Sequence, residues 1–76
     1  MKEYADQIRK EIRGIMEGLP DIHGQGLYTR LGQLNKIRIN INMLKNDGLL
    51  DGAEVRELKE LELDSYELVR NKLPQD

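Results

Sequence analysis

Residues 35–44, NKIRININML, alternate strictly between polar and apolar residues from Lys36 to Met43. Such alternation is typical of a half-buried β-strand. The longer segment around it, residues 27–46, instead places apolar residues three or four positions apart, which is typical of a helix. This helical stripe is interrupted at Arg38 and consists of Leu27, Leu31, Leu34, Ile41 and Leu44. We predict a helix at residues 27–46. A strand at residues 37–43 is the alternative, but no other segment offers it a strand partner.

The N-terminal segment has a heptad pattern, with apolar residues separated by alternating steps of four and three. The pattern predicts a helix at residues 2–18, ended by Gly18 and by Pro20 just beyond it. Gly14 lies on the opposite face and weakens this helix modestly. The members of the pattern are Met1, Ala5, Ile8, Ile12, Ile15 and Leu19.

A third helix is predicted at residues 52–73. Asp51 and Glu54 have the spacing of a capping box, in which each side chain accepts a hydrogen bond from the other residue's backbone N–H. Pro74 follows the last turn. The apolar stripe of this helix is interrupted at Glu62 and consists of Val55, Leu58, Tyr66, Val69 and Leu73.

The link between the second and third helices is short and contains Gly48 after Asn46 and Asp47, a helix stop signal. A short link predicts an antiparallel αα-hairpin. If Leu44 lies opposite Val55, then Arg38 lies opposite Glu62, so the two polar interruptions meet. We predict that Arg38 and Glu62 form a structural charge pair that fixes the register, as polar core residues do in coiled coils. A switchable charge site is the functional alternative.

The predicted fold is therefore all-α: a single domain over residues 1–76, with the first helix packed across the hairpin or exchanged in a dimer.

The chain of 76 residues has no cysteine, which excludes disulfides and thiolate metal sites. A net charge of -2 is too balanced for a protein that binds duplexes mainly by neutralising phosphates. No apolar run approaches the roughly 20 residues of a membrane span. The N-terminus does not resemble a signal peptide. We expect a cytoplasmic protein that does not bind membranes.

No residue pattern indicates an active site, a metal site or a cofactor site. His23 is the only histidine, and a catalytic zinc normally needs three protein ligands. It lies in the loop of residues 18–26, where Gly24 and Gly26 indicate loop geometry. Ser65 is the only serine and has no base at a suitable spacing. We expect a protein that is not an enzyme.

Several apolar residues have no obvious place in the predicted core, and these are the candidate protein-binding residues. Leu49 and Leu50 lie at the hairpin tip, and their alternative role is to close its end. The remaining candidates are Tyr28, Ile39, Met43 and Leu63. Surplus apolar surface on two helices favours a homodimer or an adaptor. The predicted function is that of a small regulatory or inhibitory protein of phage or mobile-element type, which binds another protein through a helix face.

The segment GLLDGAEVRELKELELDSYELV is similar to the second half of the sporulation-type aspartyl-phosphate phosphatases, helical hairpins that act on phosphorylated response regulators. The resemblance implies such a phosphatase as an alternative function. In that family a Ser-Gln-Glu-Leu-Asp motif follows a valine on the second helix. The run at the corresponding distance from Val55 is residues 59–63, and Glu-Leu-Asp occurs one position later, at residues 62–64. The displacement rotates it about 100° around the helix. The serine and glutamine are absent, so the activity is not carried over.

A second alternative is nucleic-acid binding through the basic residues of the second helix. These residues are Arg30, Lys36, Arg38 and Lys45. The balanced overall charge argues against this class, and nucleic acid is not an expected partner.

Overall fold

Residues 37–43 lie in the middle of a long helix, so the helix prediction is confirmed and the strand alternative is wrong. The computed structural model describes residues 2–74, which leaves Met1 of the heptad pattern outside the described residues. Three helices follow in order, namely α1 (Lys2–Met16), α2 (Gln25–Asn46) and α3 (Gly52–Arg70). The helices α2 and α3 form the predicted hairpin, and α1 packs against both of them. The fold is a compact three-helix bundle, and no helix in residues 2–74 is long and apolar enough to cross a membrane.

The loop between α1 and α2 has the predicted length but lies two residues earlier in the chain, and it contains a short 3-10 turn. The helix α1 ends two residues early, at Met16, because Gly18 adopts a left-handed conformation with φ of 74°. Pro20 then lies in a short 3-10 turn, Leu19–Asp21. Two residues earlier than predicted, α2 begins at Gln25, after Gly24, whose φ is 60°. His23 is exposed in this loop and has no ion pair or side-chain hydrogen bond in the described residues.

The hairpin link closes α2 with a Schellman motif. Gly48 has a φ of 73°, which a residue with a side chain rarely adopts. Its N–H donates to the Lys45 carbonyl at 3.1 Å, and the Leu49 N–H donates to the Leu44 carbonyl at 2.9 Å. These two bonds satisfy carbonyls that would otherwise lack partners at the end of α2.

The predicted capping box begins α3. The Asp51 carboxylate accepts a hydrogen bond from the Glu54 N–H at 2.8 Å, and the Glu54 carboxylate accepts one from the Asp51 N–H at 2.9 Å. A cap of this kind contributes about 1 kcal/mol to helix stability. At its other end α3 stops at Arg70, three residues before the predicted end, and continues as a tighter turn in which the Leu73 N–H donates to the Arg70 carbonyl.

The core is aliphatic and receives side chains from all three helices and from the hairpin link. The heptad residues of α1 supply Ala5, Ile8 and Ile12, none of them more than 1% exposed. Burial of one such isoleucine contributes about 2 kcal/mol. The other buried apolar residues are Leu27, Leu34, Ile37, Ile41, Leu50, Val55, Leu58 and Val69.

Two polar contacts join α1 and the 3-10 turn after it to α3 and the turn that follows α3. The Arg9 guanidinium donates two hydrogen bonds to the Glu57 carboxylate, at 2.6 and 2.7 Å. Farther along, the Lys72 ammonium donates to the Leu19 carbonyl at 2.6 Å. From the first contact to the second, the residue numbers rise on both sides, from 9 to 19 and from 57 to 72. The helix α1 therefore runs parallel to α3. The hydrogen bonds from Arg9 lower the pKa of the Glu57 carboxyl, and the same contact raises the pKa of Arg9.

Replacement of Glu57 by glutamine tests this contact through its pH dependence. The folded-state pKa of Glu57 lies below its ordinary value of 4.5, so the ion pair stabilises the fold above that pH and is lost as the pH falls through the folded pKa. We expect Glu57→Gln to lower the free energy of unfolding, measured by urea denaturation at neutral pH. The difference from the parent chain should shrink as the pH is lowered below about 4.5.

Glu60→Gln is the matched control, because Glu60 is exposed on the same helix and has no ion pair in the described residues. Its difference from the parent chain should stay small across the same pH range. A difference for Glu57→Gln that stays constant or grows at low pH would contradict the role given to the Arg9–Glu57 contact.

Candidate functional site

Arg38 and Glu62, the polar residues that interrupt the apolar stripes of α2 and α3, meet inside the hairpin. The Glu62 side chain is 2% exposed, whereas the Arg38 side chain is 39% exposed and reaches solvent. Arg38 Nε donates to Glu62 Oε1, and Arg38 Nη2 donates to Glu62 Oε2 at 3.1 Å. The contact that the hairpin register predicted is therefore present, with both carboxylate oxygens engaged.

One turn farther along α3, Tyr66 lies against the same guanidinium. The Arg38 Cζ atom lies 5.0 Å from the centre of the Tyr66 ring, within the range of a cation–π contact. The hydrogen bonds to Glu62 raise the pKa of Arg38, and partial burial opposes this rise. Both oxygens of Glu62 therefore accept hydrogen bonds from the permanently charged Arg38 guanidinium. The arrangement is suited to holding the helices in register.

Three of the candidate protein-binding residues lie on the side of α2 that faces away from the core, with Ile39 and Met43 one turn apart and Tyr28 about three turns before Ile39. Tyr28 is 59% exposed, Ile39 is 53% exposed and Met43 is 58% exposed. The residues between them on this side are exposed and uncharged, namely Gly32, Asn35 and Asn42. These six residues are called the outer face of α2 below. The surface is apolar at three points and has no charge, although 34% of the residues in the chain are charged.

The other candidate protein-binding residues have different positions. Leu50 is only 5% exposed and belongs to the core, so its assignment to a partner surface is wrong. The reason is that the link folds back over the end of the hairpin, which was the alternative role for this leucine. Leu49 is half-buried beside it. Leu63 is half exposed, but it lies on α3 and is not part of the outer face of α2.

The sequence did not predict two features of the surface. Tyr4 and Leu68 are exposed, although each continues an apolar pattern of its helix. Gly14, predicted only to weaken α1, borders a groove between α1 and α2 together with Ile15 and Ile37. A glycine inside an otherwise regular helix was the one signal for this groove, since it marks a site without a side chain.

The basic residues of α2 do not form one stripe. Arg38 is bound to Glu62, while Arg30 and Lys36 border the groove between α1 and α2. Lys45 is nine residues beyond Lys36, which places the two on opposite sides of a helix. The four cations therefore do not present one basic surface.

Within residues 2–74, no three His, Asp or Glu side chains are close enough to share a metal ion. No protein family matches the chain, and comparisons with curated proteins and with solved structures also find no match. The candidate site therefore depends on the geometry of this chain alone.

Arg38→Leu tests the role of the buried pair. This change leaves the Glu62 carboxylate buried without a cation and should lower the free energy of unfolding by about 3 kcal/mol. The double variant Arg38→Leu with Glu62→Leu removes both charges and should be more stable than the single variant. Chemical denaturation of both proteins measures the difference.

Glu62→Leu alone is a useful third protein. It leaves Arg38 unpaired, but this side chain reaches solvent, so the loss should be smaller than for Arg38→Leu. Equal losses for Arg38→Leu and the double variant would show that the carboxylate is not held in the core by its partner.

Proposed function

We propose that the chain is a small, non-enzymatic regulatory or inhibitory protein that acts by binding another protein through the outer face of α2. The observation that carries this proposal is the exposure of Tyr28, Ile39 and Met43 on one uncharged side of one helix. Apolar side chains grouped in this way on a small protein are typical of a binding surface. The spacing of these residues suits contact with another helix, whose side chains would pack between them.

The charges beside this face indicate the chemistry of the partner. Of the four basic residues of α2, Arg38 is held by Glu62 and Lys36 lies at the edge of the outer face, while α2 contains no acidic residue. An apolar partner helix flanked by Asp or Glu would complement this edge. Interfaces of this type obtain their affinity from the apolar centre, whereas the charges at the edge contribute specificity and association rate.

A second copy of the chain is the competing occupant. In an antiparallel pair of α2 helices, Ile39 would lie opposite Gly32 of the second copy, and Tyr28 opposite Met43. The same register, however, brings the two Lys36 side chains to one side of the contact, where they repel each other. Salt screens charge interactions. A dimer of this kind would therefore be strengthened by salt, whereas a complex with an acidic partner would be weakened.

The test uses three purified chains as bait in extracts of the source cells. The double variant Ile39→Gln with Met43→Gln replaces apolar side chains at exposed helix positions, so the fold should be retained, as circular dichroism would show. The partner should be captured by the parent chain and lost by this variant. With the isolated partner we expect at least a tenfold increase in Kd, since exposed apolar contacts at an interface centre contribute about 1 kcal/mol each.

Leu68→Gln is the matched control, because Leu68 is an equally exposed leucine on a different helix. It should leave the Kd for the partner unchanged, and the Kd of the parent chain should rise with salt concentration. Capture that is the same for the double variant and the parent, or loss with Leu68→Gln to the same extent, would contradict the proposal. Light scattering across concentration and salt then decides between a partner protein and a second copy, since only self-association gives a dimer of the purified chain.

A further inference from the structure

The groove between α1 and α2 lies beside the outer face of α2, with Lys36 at the border of both, and it has the dimensions of a small-molecule site. Its volume is about 560 Å³. Ligand sites in proteins have volumes of about 300–1,000 Å³ and combine an apolar lining with a few polar groups. Here Ile15 and Ile37 supply the apolar part, and polar side chains from both helices stand around it.

The groove includes the open space beside Gly14, where α1 has no side chain. A Cβ atom placed on Gly14 would have no atom within 4 Å, leaving aside the adjacent residues and the nearby backbone of α1 itself. This is unlike Gly26, where a Cβ atom would lie 2.8 Å from Ile22 Cγ2, so a side chain there would collide with the loop. Neither close packing nor a left-handed conformation requires glycine at position 14. The space beside it is thus available to another molecule.

The polar side of the groove includes Arg30, one of whose donor atoms is unsatisfied. The Nε atom of Arg30 is buried and has no hydrogen-bond partner among the described residues. Neither Arg30 nor Lys36 forms a salt bridge within residues 2–74, whereas Arg9 and Arg38 each do. A donor without an acceptor is unfavourable, so an anion beside this guanidinium would be favoured. Glu11 also borders the groove, so two cations there face one carboxylate.

We infer that this groove binds a small organic anion, with its carboxylate or phosphate on Arg30 and Lys36 and its apolar part on Ile15 and Ile37. The guanidinium of Arg30 can bind either group through two parallel hydrogen bonds. Ile37, which is 5% exposed, and the half-buried Ile15 provide the apolar floor. Glu11 disfavours a second negative charge on the ligand near α1. The ligand class is therefore an anion with one charged end and a short hydrocarbon or aromatic body.

Four probes separate the parts of this inference. Octanoate and octyl phosphate carry both the anion and the chain, 1-octanol carries only the chain, and inorganic phosphate carries only the charge. Binding to the 15N-labelled full chain is followed by NMR, with the Arg30 Nε–Hε signal and the Gly14 amide signal as reporters. Ligands of about ten heavy atoms reach a Kd of about 1 mM or below in a suitable site. We expect at least one of the two amphiphilic anions to shift both signals with saturation in this range, and octanol and phosphate to bind at least fivefold more weakly. The stronger of the two anions identifies the charged group.

Two variants and two controls locate the binding. Gly14→Leu places a side chain into open space and should fold normally but abolish binding, whereas Gly32→Leu makes the same change on the outer face of α2 and should not affect it. Arg30→Gln should weaken anion binding at least tenfold, and Lys45→Gln should leave it unchanged. If Arg30→Gln does not fold, the Gly14→Leu comparison still decides the question.

Three outcomes would overturn the inference. One is that neither amphiphilic anion shifts the Arg30 and Gly14 signals with saturation. Another is that octanol binds as tightly as octanoate and octyl phosphate, because the cations would then have no role. The third is that Gly14→Leu binds the anions as the parent chain does.

Discussion

The buried carboxylate of Glu62 constrains the rest of the structure. A charge in an aliphatic core is tolerated only if a partner satisfies it, and Arg38 is the partner that donates to both of its oxygens. If α2 slid along α3 by one turn, Glu62 would face an apolar residue and the carboxylate would be left alone in the core. The pair therefore selects one register of the hairpin. The aliphatic contacts between Leu, Ile and Val side chains are less selective, since one such residue replaces another at little cost.

The hairpin link favours the same register through signals that are local in the sequence. Gly48 ends α2 in the left-handed conformation, and the capping box of Asp51 and Glu54 begins α3 three residues later. Leu50 lies between these two signals and closes the end of the core. Local signals and the long-range charge pair thus specify one arrangement, and this agreement favours a single folded state.

The position of α1 decides which surfaces remain open. It has a single apolar stripe, so it covers one side of the hairpin, where Arg9 and Glu57 fix its distance from α3. The helix α2 has two apolar sides, and only one can face the core. The other side forms the outer face of α2, proposed as the protein-binding surface. The edge where α1 and α2 meet at Gly14 forms the groove, so both proposed sites depend on the central position of α2.

The sequence determined the features that depend on residues close to each other along the chain. Helix identity follows from apolar spacing, and helix ends follow from Gly18, Gly48 and the capping box, with errors of two or three residues at the end of α1, the start of α2 and the end of α3. The contact of Arg38 with Glu62 was also predictable, because a short link leaves an antiparallel hairpin few registers.

The tertiary structure alone decided the burial of Leu50, the exposure of Tyr4 and Leu68, and the groove beside Gly14. It also decided the pairing of Arg9 with Glu57, two residues that are far apart in the sequence and have no pattern connecting them. Each of these features depends on where α1 lies on the hairpin and on how the link folds over its end. That placement is set by the packing of three surfaces at once, and the periodicity of a single helix carries no information about it.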